Sequence, residues 1–131
     1  MKTFLAPLIL VIILGCNGSI VSPEKQTPKL DETFEVKVGQ SATVNGDFTL
    51  TFMSVPSDSR CPKNVVCVWE GNGAVVLKFS DGVDTLNTVS KPSQIIRDGY
   101  TIKLIALTPY PEYPQVIPKD AYIVKLVVAK N

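Results

Sequence analysis

From Phe34 to the end of the chain, apolar side chains recur at every second position. This period of two commits the polypeptide to β-strands whose alternate residues face opposite sides of a sheet. Phe34, Val36 and Val38 alternate with Glu35 and Lys37, and Phe48, Leu50 and Phe52 alternate with Thr49, Thr51 and Met53. Val75, Leu77 and Phe79 interleave with Ala74, Val76 and Lys78, while Tyr100, Ile102 and Leu104 flank Thr101 and Lys103. The last run places Tyr122, Val124, Leu126 and Val128 on one face. No stretch of this region sustains apolar residues at i, i+3, i+4 and i+7 between caps, so no helix is expected. Asn45-Gly46, Asp81-Gly82 and Asp98-Gly99 each separate two strand-like runs, and such dipeptides favour the positive φ angles of tight hairpin turns. Those hairpins, with further strands near Phe34, Ala42 and Val124, bring the total to about seven or eight. The expected fold is all-β: a single antiparallel β-sandwich, with an immunoglobulin-like arrangement as first choice, or a small barrel, which shares the same alternation.

Ahead of this region, Lys2 precedes an apolar run from Phe4 to Gly15, too short to cross a bilayer core that needs ~20 helical residues. It reads as the central region of a secretory signal. Ile13-Leu14-Gly15-Cys16 closes the run and resembles the lipobox of a bacterial lipoprotein precursor. The resemblance implies that the Cys16 thiol is acylated, that cleavage occurs on its amino side, and that residues 1–15 are a signal peptide. An ordinary secretory signal that happens to contain a cysteine is the competing reading. Residues 16–32 then comprise the lipidated cysteine and a flexible tether. NGSIVSPEKQTPKLDE is polar, holds two prolines and has no sustained period, and a coil of that length reaches ~20 to 25 Å. Residues 33–131 form the domain. Asn17 lacks the acidic character that retains many Gram-negative lipoproteins at the inner membrane. The resemblance therefore implies the cell envelope, and the outer membrane if the source is Gram-negative.

Charge and composition narrow the functions. With 13 basic and 12 acidic side chains the net charge is +1, and loss of Lys2 with the signal would bring it to zero. Such a balance argues against a nucleic-acid partner, which needs a basic surface for phosphates. Histidine is absent, removing the commonest general base near neutral pH and the commonest transition-metal ligand. No nucleophile stands beside a base and no acid pair is evident, so the chain is not read as an enzyme. Asp81, Asp84, Asp98 and Asp120 fit turns and strand ends. Calcium at Asp47, or at Asp81 with Asp84, lacks a twelve-residue binding loop or dense acidic repeat, and no metal or cofactor is assigned.

Cys61 and Cys67 remain as an even pair in a chain bound for an oxidising compartment, and a disulfide between them is expected. Two thiolates without histidine cannot fill a structural zinc site, and five intervening residues do not make a redox CxxC. Closing so short a loop stabilises by ~2 kcal/mol, which makes local shape its main effect. The segment from Asp58 to Gly71, DSRCPKNVVCVWEG, resembles the DSRCP…CxWxG pattern of small, largely uncharacterised bacterial exported proteins and lipoproteins. The similarity extends through Phe48–Val55, Ala74–Phe79, Leu107-Thr108-Pro109-Tyr110-Pro111 and Asp120-Ala121-Tyr122; it implies a compartment and a fold rather than a reaction.

Two readings of this segment stand side by side. In one, Asp58 and Ser59 fix a turn, Arg60 pairs with Asp58 or Glu70, Pro62 stiffens the loop, and Gly71 and Gly73 allow a bulge or tight bend. Cys67 and Trp69 then share a strand face and the indole covers the disulfide. In the other, Arg60, Lys63 and Trp69 form a presented recognition loop. Exposure of Trp69 separates them. The stretch from Pro109 to Pro118, PYPEYPQVIP, is too rich in proline for an internal strand. It is either a packed crossover or a stiff loop on which Tyr110 and Tyr113 stack against a sugar or protein. The function expected is a lipid-anchored, non-catalytic binding or structural module, held at the membrane by its N-terminal lipid, with an envelope protein or glycan as possible partner. The alternative is a secreted or anchored proteinase inhibitor using the braced loop 60–66.

Overall fold

The computed structural model describes Gly18 and residues 25–131; the Cys16 lipobox lies outside the described residues. The alternating runs become eight strands: β1 (Thr33–Lys37), β2 (Ser41–Val44), β3 (Phe48–Asp58), β4 (Gly73–Phe79), β5 (Gly82–Asn87), β6 (Gln94–Arg97), β7 (Tyr100–Thr108) and β8 (Ile123–Lys130). They form two four-stranded antiparallel sheets, ordered β1-β8-β7-β6 and β2-β3-β4-β5, packed as a sandwich. The expected immunoglobulin-like connectivity is not found. Immunoglobulin domains distribute their strands ABED against CFG, whereas here β2 to β5 run as a simple meander and the chain changes sheet only at β1–β2 and β5–β6. Alternation defines which side chains face inward but carries no information on strand order.

The inward positions are those the pattern marked. Leu50 and Phe52 of β3, Val75 and Leu77 of β4, Tyr100 and Ile102 of β7, and Val124, Leu126 and Val128 of β8 are all buried and meet in one core. Phe48 packs on Tyr100 with ring centroids 5.3 Å apart. The Tyr100 hydroxyl accepts from Asn45 Nδ2 at 3.0 Å and donates to Asp47, so the β2–β3 turn is fastened to the opposite sheet. Asn45-Gly46 and Asp98-Gly99 adopt positive φ as expected of tight hairpins. The third hairpin turns instead on Ser80-Asp81, and Gly82 is already paired with Phe79 as the first residue of β5. Asp81 and Asp84 both bind Arg97 of β6, whose guanidinium carbon stands 4.4 Å from the Phe79 ring centroid. Their carboxylates are thereby engaged in an ion pair that ties the two sheets together at the hairpin-turn end.

Ordered structure extends further toward the N-terminus than the strand pattern. Gln26 forms a parallel bridge with Ala42 and accepts a hydrogen bond from Thr43 N at 2.9 Å. Leu30 packs against the core and Asp31 N donates to Val128 O. Residues 26–31 therefore belong with the domain rather than with a free tether. A polar segment with two prolines has no period to betray this, because its attachment uses backbone groups and a single leucine.

Phe52 is fully buried between the sheets. Phe52→Ala is expected to cost about 3–5 kcal/mol in urea unfolding; a loss under about 1 kcal/mol would mean that this centre is not packed as described.

Candidate functional site

Strand polarity gathers the long connections at one end of the sandwich. β3 runs toward it and β4 away, so the connection 59–72 projects there; the connection 109–122, between β7 and β8, lies beside it. The opposite end carries the short hairpin turns. Asp58 closes β3 opposite Gly73, and backbone pairing continues past the strand ends as Ser59 N donates to Asn72 O and Cys61 N to Glu70 O, both at 2.8 Å. Beyond that ladder the chain forms a loop closed by the Cys61–Cys67 disulfide, the bridge expected from the sequence.

Within DSRCP the side chains divide sharply. Arg60 is 5% exposed, and its guanidinium is enclosed by acceptors. Nε donates to Asp58 Oδ1 at 2.7 Å and Nη2 to Asp58 Oδ2 at 2.6 Å; Nη1 donates to Leu107 O at 2.5 Å and Nη2 also to Pro109 O at 3.0 Å. Tyr122 OH donates to Asp58 Oδ2 at 3.0 Å, and the Tyr110 ring lies 5.1 Å from the guanidinium carbon. Of the two carboxylates open to Arg60, the structure selects Asp58 over Glu70. Arg60 is thus an internal cross-link from the β3–β4 hairpin to the end of β7, not a contact residue on a presented loop. Burial alone pushes the Asp58 carboxyl up, but the Arg60 hydrogen bonds and charge, helped by the Tyr122 hydroxyl, outweigh it and hold it below the ordinary aspartate value.

Ser59 and Asn72 lock the base of the loop from the other side. Ser59 Oγ accepts from Asn72 N at 3.0 Å, and Asn72 Oδ1 accepts from Val89 N and Ser90 N, fixing the β5–β6 connection. Gly71 has φ +70°, and a Cβ there would stand 1.8 Å from Ser59 O. Only glycine fits, which answers the expectation of a tight bend. At Gly73 a Cβ would come within 2.9 Å of Leu107 Cδ2 and 3.3 Å of Arg60 Nε, so the missing side chain is what admits the arginine.

Outside this base the loops face solvent. Cys67, Val68 and Trp69 do not re-enter a strand; the ladder ends at Glu70, and the indole is 79% exposed rather than covering the disulfide. Strand alternation does not apply where pairing has stopped, which is why the expected cover is absent. Lys63 is outward too, with Nζ 3.0 Å from Glu112. The disulfide loop docks against the Pro-Tyr loop through backbone-like bonds: Lys63 N donates to Pro111 O at 3.0 Å, Asn64 Nδ2 to Tyr113 O at 2.7 Å, and Tyr113 N to Asn64 Oδ1 at 2.9 Å. Tyr113 is exposed; Tyr110 is half-exposed, one face under Arg60 and the other features of its ring lining a cleft of about 290 Å³ with Val89, Ile105 and Thr108. Val66 (99% exposed), Val68 (94%) and Val116 (88%), on the same two loops, also stand in solvent.

Of the five side chains singled out by sequence as possible contacts, Lys63, Trp69, Tyr110 and Tyr113 come together at this end and Arg60 lies beneath them. Sequence reasoning missed Asn64, Asn72 and Tyr122. Tyr122 was read as a core residue of the last strand, and it is buried, but its hydroxyl also completes the Asp58 carboxylate. The valines were passed over because an isolated valine carries no signal. The chain matches no family profile, no curated protein and no solved structure.

Because the folded Asp58 ionises more readily than the unfolded one, its contribution is complete above the ordinary aspartate range and is lost as pH falls through the lowered folded value. Asp58→Asn is expected to destabilise by about 3–5 kcal/mol at neutral pH, since it leaves the buried guanidinium without its counter-charge. The variant should also show a shallower decline of melting temperature below about pH 4; parallel acid limbs for the two proteins would refute the assignment. Gly71→Ala is expected to lose more stability than Gly46→Ala. Both positions have positive φ, worth about 1–3 kcal/mol of strain, but only Gly71 adds a backbone clash, as a Cβ at Gly46 meets nothing within 4 Å. Equal melting temperatures would contradict the close approach.

Proposed function

We propose that this chain is a lipid-anchored protein of the cell envelope whose β-sandwich is a non-catalytic binding or structural module. The observation that carries the reading is how the loop end spends its side chains. Asp58, Arg60, Ser59, Asn72 and Tyr122 satisfy one another in bracing the connections, while Val66, Val68, Trp69 and Val116 are turned outward. Polar groups held in mutual ion pairs and hydrogen bonds build a scaffold, and the exposed aliphatic and aromatic groups on the loops above it offer contact area. The Cys61–Cys67 bond supports an oxidising compartment, consistent with export. Gly15-Cys16 at the end of the N-terminal apolar run supports acylation at Cys16, and Asn17 favours the outer membrane in a Gram-negative cell.

The same geometry favours this reading over proteinase inhibition by residues 60–66. An inhibitory loop must hand a side chain to the protease, but the Arg60 guanidinium is bound inside the domain and the Lys63 backbone N–H is bonded to Pro111.

Metabolic labelling with a clickable fatty acid, followed by membrane fractionation, tests the anchor. Wild type is expected to carry label and to sediment with membranes, and Cys16→Ala to lose both. An unlabelled wild type recovered in the soluble fraction would discard the anchor.

A further inference from the structure

We propose that the cleft bordered by Glu70, Val89, Ile105 and Tyr110 binds a small organic cation, an ammonium group on a short hydrocarbon chain, with its charge at Glu70 and its chain along the apolar wall. The inference rests on the reading of this domain as a binding module and names the chemical class of its ligand.

Three separate parts of the chain build the cleft, and hydrogen bonds fix where they stand. Glu70 comes from the β3–β4 connection, Thr88 and Val89 from the β5–β6 connection, and Ile105, Ala106 and Thr108 from the end of β7. Glu70 O accepts from Cys61 N at 2.8 Å, which holds the backbone of the acid in the ladder that continues β4. Thr88 N donates to Gly73 O at 3.0 Å, Gly73 N donates back to Thr88 Oγ1 at 2.8 Å, and Val89 N donates to Asn72 Oδ1 at 3.1 Å. The walls are therefore in place before a ligand arrives, and binding requires little further ordering. A volume of about 290 Å³ lies near the lower end of small-molecule sites, ~300 Å³.

Charge decides the occupant. Arg60 lines the cleft, but its Nη2 meets Asp58 Oδ2 at 2.6 Å and its Nη1 is turned to Leu107 O, so its charge is matched inside the domain and is not offered to an anion. Glu70 is the other charged residue of the cleft. The ion pairs among the described residues use Glu35, Asp58, Asp81, Asp84 and Glu112, and none involves Glu70. The cleft thus carries one uncompensated negative charge. A single carboxylate among valine, isoleucine and alanine does not make a metal site, which takes ~6 oxygens; it suits a cation that brings its own apolar surface. Val89, Ile105 and Tyr110 are each about half exposed, leaving area for a hydrocarbon chain to cover. Glu70 and Val89 also border a more open recess with Trp69 and Asn72, so the two depressions meet at the acid. The recess adds tryptophan, the residue whose ring best attracts a cation.

The probe is n-hexylamine, set against hexanol and hexanoate as neutral and anionic controls of equal chain length, and against tetramethylammonium as charge without a chain. In amide chemical-shift titrations of the full chain, hexylammonium is expected to move Glu70, Val89 and Ile105, and the controls to move them less or not at all. Trp69, the only tryptophan of the chain, gives a second readout through its fluorescence. Glu70→Gln is expected to weaken hexylammonium about twofold to fivefold, the strength of an ion pair in contact with water. Melting temperature should not change, because the fold uses the backbone carbonyl of Glu70. Glu70→Lys is expected to exchange the preference, losing the amine and gaining hexanoate, which a merely structural role of Glu70 would not produce. Equal affinity for hexylammonium and hexanol, or affinity that survives Glu70→Gln, would overturn the inference while leaving a module that binds other chemistry. No response to any of these probes would overturn it, as would a lysine-bearing peptide that occupies the cleft when the free amine does not. Labelling at Cys16 is read independently, so failure of the anchor and failure of the cation site are told apart.

Discussion

The buried guanidinium of Arg60 is the constraint on which the loop end depends. An arginine cannot be left without acceptors inside a protein, and this one draws them from three separate places: the Asp58 carboxylate, the last carbonyls around β7, and the face of Tyr110. Satisfying it forces the β3–β4 hairpin against the end of the other sheet. The lack of a side chain at Gly73 clears the space, and Tyr122 takes the remaining hydrogen-bonding capacity of the Asp58 Oδ2. The pairing of hairpin and Pro-Tyr loop follows from that placement, because Lys63 and Asn64 then lie within bonding distance of Pro111 and Tyr113.

A second arginine works at the other end of the sandwich. Arg97 of β6 binds Asp81 and Asp84 of the facing sheet and packs over Phe79. Each end thus has one cationic fork crossing between sheets, in addition to the shared apolar core. The two differ in environment. Arg97 closes short turns at an accessible edge, where solvent weakens ion pairs. Arg60 is enclosed, and its removal leaves several acceptors orphaned at once. The asymmetry matches the architecture: short turns need little support, whereas two connections of more than ten residues need an internal framework to hold one arrangement.

The fold was legible because alternation is a local signal. Phe48, Leu50 and Phe52, or Val124, Leu126 and Val128, declare their face from the sequence alone, and Asn45-Gly46 and Asp98-Gly99 declare their turns. Strand order was not legible, since a meander and an immunoglobulin arrangement present the same inward residues. At the site, the cysteine pair and the need for glycine near Asn72 could be read. The burial of Arg60 and the exposure of Trp69 could not. The first depends on carbonyls far along the chain, at Leu107 and Pro109, and the second on the point at which pairing with β3 stops. The rule that placed Trp69 on the disulfide face fails one residue outside the ladder.

Exposed valines and a tryptophan would ordinarily fold back onto the nearest apolar surface, and what prevents it here is bracing rather than composition. The loop carrying Val66, Val68 and Trp69 is closed by a disulfide, bonded through Lys63 and Asn64 to its neighbour, and held at its base by Ser59 and Asn72. A six-residue closure contributes little to global stability, so its effect is felt in shape: the apolar side chains lose the freedom that would let them collapse inward. Ordering completed during folding is not required again on contact, which lowers the entropic cost of association with whatever surface meets these side chains.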